Sequence, residues 1–160
     1  MMRTDVSIAD VLGWDGVLVP GFKVLGVQVD AVVRIDRRAH AARTAPALDH
    51  DVLTMWEWPE NPGEPRVTEL VGVLSRDPSW RKGLKAVGRL GGFCAGAIVG
   101  THDEQCRLEC AYFGVSLIDG EGNLIQQGRT GRSPRARRRT LDRWVEELVY
   151  ARLLDDGVLA

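Results

Sequence analysis

In FKVLGVQVDAVVRID, residues 22–36, Leu25, Val27, Val29, Ala31, Val33 and Ile35 take every odd position, with Gln28, Asp30, Arg34 and Asp36 between them. Period two over this length predicts a pleated strand with one buried face. Pro20-Gly21 predicts a turn joining it to a shorter strand at 16–19. DVLTMWEW, 51–58, alternates again, with Val52, Thr54, Trp56 and Trp58 on one side. RRAHAARTAPALDH before it has no clean period, and PENPGEP after it is rich in breakers, so both read as loops.

At RVTELVGVLSRD the period changes. Val67, Leu70, Val71 and Leu74 fall at i, i+3, i+4 and i+7, which predicts a helix near 66–76. Asp77-Pro78 then predicts an N-cap and first helical position for a second helix over 78–90. Its apolar side is Trp80, Leu84, Val87 and Gly91, and its other side is Arg81, Lys82, Lys85 and Arg89. The two-helix run is also compatible with the apolar spacing of a helix-turn-helix. Gly83 and Gly88 make a poor recognition helix, and an ordinary amphipathic pair is preferred. FCAGAIVG, 93–100, reads as a short strand and CRLECAYFGVSLI, 106–118, as a long one. DGEGN is a hairpin turn leading back through LIQQGR. Leu141, Trp144, Val145, Leu148 and Ala151 stripe a closing helix over about 134–155, capped at Ser133-Pro134. No repeat divides the chain. The pattern predicts a single α+β domain over 1–160. A mostly antiparallel sheet from 16–36, 51–58 and 106–129 is covered by two or three helices, one of them C-terminal.

Charge alters this picture more than composition does. The chain has 160 residues, 44% hydrophobic and 27% charged, with a net charge of −1. Residues 1–80 hold eight Lys/Arg against twelve Asp/Glu, and residues 81–160 hold thirteen against ten. Six arginines and no acid fall within 129–139: Arg129, Arg132, Arg135, Arg137, Arg138 and Arg139. Cations at the start of a helix oppose its macrodipole. Either the run is a solvated face or an anion covers it. A guanidinium fork fits phosphate or carboxylate, and a helix start adds N–H donors.

Other chemistry is sparse. Cys94, His102, Cys106 and Cys110 have the spacing C-x7-H-x3-C-x3-C, unlike the close pairs of structural zinc. On a strand, Cys106 and Cys110 would lie roughly 13 Å apart, too far to share an ion. Buried free thiols are preferred and no metal or cofactor is expected. His50 lies between Asp49 and Asp51, and His102 precedes Asp103, but no nucleophile motif accompanies either pair. Glu57, Glu60 and Glu64 lie in a loop with nothing evident to fix them. Trp80 and Trp144 read as core. Trp56 and Trp58 read as a packed strand face, with exposure beside the loop as the alternative.

No catalytic residue is assigned. The first function class is a non-catalytic binding protein docking on nucleic acid through Arg129, Arg132, Arg135, Arg137, Arg138 and Arg139, with Arg81, Lys82, Lys85 and Arg89. The second is a virion or assembly subunit whose arginines meet an acidic protein surface, with homo-oligomer formation open. The third is a small enzyme using His102 or His50. Eleven apolar residues at 90–100 are too few to span a bilayer, which needs about 20. Asp5 and Asp10 interrupt any signal-like run, so a cytoplasmic, reduced setting is expected.

Overall fold

The computed structural model describes residues 8–43, 45–58, 60–61, 63–100, 102–132 and 139–159. The order is α1 (8–12), β1 (Val17–Val24), β2 (Val27–Ile35), α2 (Arg37–Ala41), α3 (His50–Met55), β3 (Thr68–Ser75), α4 (Trp80–Arg89), β4 (Ala95–Val99), α5 (Glu104–Phe113), β5 (Ser116–Ile118), β6 (Leu124–Gln126) and α6 (Arg139–Asp155). The chain is α+β. Its mixed, mostly antiparallel sheet has the order β1-β2-β3-β4-β5-β6, and a helix follows at the C-terminal end. Contacts concentrate in two compact units, one of residues 1–33 and 70–134, the other of 34–69 and 135–160.

In the first unit β1 and β2 form an antiparallel hairpin from Val17↔Val33 to Val24↔Val27. The turn lies at Leu25-Gly26, both at positive φ (50° and 77°), and not at Pro20-Gly21. Pro20 is tolerated because β1 is an edge strand, where a missing N–H breaks no ladder. Gly21 marks a register shift instead, and its N–H donates to Asp30 Oδ1 at 2.9 Å.

The next elements correct the period reading. The expected helix at 66–76 is β3, parallel to β4 from Gly72↔Ala95 to Ser75↔Ile98, and β4 is parallel to β5. A helix-turn-helix is thereby excluded. The expected strand at 106–118 is α5 followed by the short β5, and the expected strand at 51–58 begins with the short helix α3. The second expected helix, the strand at 93–100 and the hairpin back through 124–126 are present as α4, β4 and β6.

Two crossovers advancing in one direction bring α4 and α5 into contact. Ser79 caps α4, and Gly83 lets the helix lie close on the sheet: a Cβ there would come 2.9 Å from Ser75 Oγ. Asp103 caps α5 by accepting from Cys106 N at 2.8 Å, and Gly114 at φ 68° ends it. The core of this unit gathers Ile8, Leu12, Trp14, Val32, Leu74, Ala95, Ala97 and Ile118. Gly72 makes room for the Trp14 ring, which a Cβ would approach to 2.7 Å.

The second unit holds α2, α3 and α6, with Val145, Val149, Tyr150 and Leu153 of α6 and Leu53 of α3 all buried. Among the described residues no helix is long and apolar enough to cross a membrane.

Candidate nucleic-acid interface

The exposed face of α4 is cationic because its apolar residues are spent on the sheet. Gly83, Leu84 and Val87 are buried, which turns Arg81, Lys82, Lys85 and Arg89 to solvent. No acid occurs in 78–92 to neutralise them. Arg81 lies over the half-buried Trp80 ring, 4.3 Å from its centroid, which leaves its fork at the surface. Arg89 reaches across to the β1–β2 turn, where Nη1 donates to Leu25 O at 3.3 Å.

Arg129 departs from the role its place in the run suggests. Its N–H donates to Gly114 O at 2.7 Å, and its Nη2 donates to Phe113 O at 3.3 Å. The guanidinium also packs on Gly91, just past the end of α4. A cation there satisfies terminal carbonyls and complements the negative ends of two helices. Arg129 is a capping residue before it is a docking one. Arg132 is half-buried in the same unit, and its charge bears on Cys94. Burial pushes the Cys94 thiol up to about 12, against the pull of Arg132 and Arg129, so it stays protonated. Arg135, Arg137 and Arg138 lie outside the described residues. Arg139 opens α6, and its side chain lies outside them too.

Cys106 and Cys110 sit one helical turn apart in α5 with sulfurs 4.0 Å apart, far closer than a strand would allow. Both are buried and free, and Cys110 is pushed up to about 12 by burial. Among the described residues no three His, Cys, Asp or Glu side chains are arranged to hold a metal. His102 Nε2 lies 3.4 Å from Arg107 Nη2, and His50 is exposed with Asp51 4.0 Å away, so neither is set into an acid–base pair with a buried orienting group.

The second unit contains a charge cluster that sequence reasoning missed. Arg43, on the turn after α2, is buried and forks onto Glu147 of α6, with Nη1 to Oε2 at 3.0 Å and Nη2 against Oε1. The same two nitrogens also reach Pro65 O, from Nη1 at 3.0 Å, and the Glu64 carboxylate, from Nη2 at 3.0 Å, while the buried Nε has no hydrogen-bond partner among the described residues. Ala47 N donates to Glu147 Oε1 at 2.8 Å. Arg66 Nε lies 3.2 Å from Glu146 Oε2, and Arg143 lies 3.8 Å from Glu146 and 4.0 Å from Glu147. Arg143 also covers the buried Trp56 ring at 4.6 Å, while Trp58 is exposed. Tyr150 Oη is 2.6 Å from His40 Nδ1, beneath the Arg43 guanidinium. Burial lowers the Arg43 pKa, but the Glu147 and Glu64 carboxylates outweigh it and hold the cation firmly charged.

Glu64 and Glu57 are thus fixed, contrary to expectation. Glu64 pairs with Arg43, and Glu57 accepts from Thr140 N at 3.0 Å. A nearby groove of about 520 Å³ is lined by Arg34, Asp36, Arg37, Arg66 and Glu69. Arg34 pairs there with Glu69 at 3.3 Å and Arg66 pairs with Glu146, so acids offset its cations. The four exposed cations of α4, by contrast, form no ion pair with an acid among the described residues. No protein-family model, curated protein or solved structure matches this chain.

Proposed function

We propose that the protein is a non-catalytic binding protein whose basic surface docks on nucleic acid. The supporting observation is the α4 face, four exposed cations on a rigid helix with no acid of its own. Arg132 and the run Arg135, Arg137, Arg138 and Arg139 extend the reading along the chain. Phosphate contacts would supply the affinity and make it salt-dependent. Three buried free thiols fit a reduced, cytoplasmic setting for this activity.

The test is fluorescence anisotropy with a mixed-sequence duplex at about 50 and 200 mM salt. Six phosphate contacts give a log–log salt slope of about −5. Changing Arg81, Lys82, Lys85 and Arg89 together to Gln removes up to four contacts and brings the slope nearer to −2. No binding at low salt, or a slope near zero, overturns the reading.

One observation favours assembly as a second reading. Leu48, Val52, Met55 and Trp58, in and around α3, are all exposed, a concentration of apolar surface that suits a protein interface. Solution mass distinguishes it: a defined oligomer that Trp58→Ser dissolves supports it, and a strict monomer rejects it.

A further inference from the structure

Resting on the nucleic-acid reading, we propose that the ligand is single-stranded. An unpaired base stacks on Tyr112 at the end of α5, while α4 carries the phosphates. Within the first unit, α5 turns Cys106 and Cys110 into the core and leaves its last aromatics outside. Tyr112 is 84% exposed and Phe113 52%, and the two rings meet edge to face with centroids 5.0 Å apart. This edge-on support leaves a face of the Tyr112 ring open.

Arg129 ties this pair to the basic surface. It donates to Phe113 O and packs against Gly91, two positions beyond Arg89. The aromatic pair therefore stands where α4 and α5 both end, joined to the end of α4 through Arg129. Glu109 lies one turn before the pair on α5 and disfavours a phosphate there. That end suits a base, and the acid-free α4 face suits the backbone. Cationic grooves with aromatic platforms bind single strands because every base has a stacking face. A duplex keeps those faces within its own stack, so Tyr112 gains little from it.

The experiment measures anisotropy of labelled oligo-dT of about 20 nucleotides and of a duplex of the same length. It compares the full chain with Tyr112→Ala and Tyr112→Phe. Tyr112→Ala is expected to weaken oligo-dT binding by about 10-fold and leave duplex binding unchanged. Tyr112→Phe is expected to keep both. If both probes bind and Tyr112→Ala weakens neither, the single-strand inference falls and the nucleic-acid reading stands. If neither probe binds, the reading falls and takes the inference with it. If Tyr112→Ala changes the solution mass and not oligo-dT binding, Tyr112 is a protein contact and the inference is overturned.

Discussion

Arg43 and Glu147 are 104 positions apart, and both side chains are removed from water. Such a pair gains little net stability over apolar residues of the same shape, yet either partner alone is a buried, uncompensated charge. Glu146 is held less well. It is buried beside Asp142 and Glu147, with Arg66 and Arg143 as its counter-charges, and burial pushes its pKa up to about 7. Its ordinary value is 4.5, so between pH 4.5 and 7 the folded chain keeps a proton that the unfolded chain gives up. The contribution of Glu146 to stability is then complete at low pH and falls as pH rises through 7. The change is on the order of 1–3 kcal/mol. Urea midpoints at pH 5 and pH 8 should show this fall in the parent chain and a flatter profile in Glu146→Gln. Identical profiles would remove Glu146 as the cause. The sequence showed Glu146 and Glu147 only as helix neighbours of Arg143. Spacing within a helix carries no information about Arg43 or Arg66, so the cluster was not legible.

At the scale of elements, what misled the period count was burial on both faces. In β3, Leu70, Gly72 and Leu74 are buried on one side, and Val73 and Ser75 on the other. A strand inside a parallel sheet reads as a continuous apolar run, and Val67, Leu70, Val71 and Leu74 mimic a helical stripe by chance. The opposite error arose in α5. Exposed Leu108 and Tyr112 supplied a false alternation with buried Cys106 and Cys110. The legible signals there were the ends, Asp103 as cap and Gly114 as stop. Where the pattern had one wet side, in α4, the helix was legible; the alternation over 22–36 marked a strand but hid the turn at Leu25-Gly26 that divides β1 from β2.

Gly114 is needed twice over. Its φ is 68°, and a Cβ on it would come 2.6 Å from Arg129 Nε. Gly114→Ala is expected to cost about 1–3 kcal/mol in chemical denaturation. Gly120→Ala, with open space around it, should cost much less. Equal stabilities would mean that Arg129 does not hold the end of α5.

For the whole molecule, a net charge of −1 conceals two different uses of arginine. On α4 the cations face water, and in the second unit they are matched by acids in the interior. The sequence located the first and gave no sign of the second. Removing residues 139–160 deletes Arg143, Glu146, Glu147 and Tyr150 together. Hydrogen exchange should then show lost protection at Leu53 and Val67, which are buried in the same unit. Retained protection would show that this unit does not depend on α6. The same connectivity bears on biosynthesis. At about 5–20 residues per second, roughly 5–20 s separate translation of Arg43 from that of Glu147. Throughout that interval the nascent chain holds a guanidinium meant for an interior that does not yet exist. The second unit can close only after α6 leaves the ribosome, so its folding waits on the synthesis of that helix.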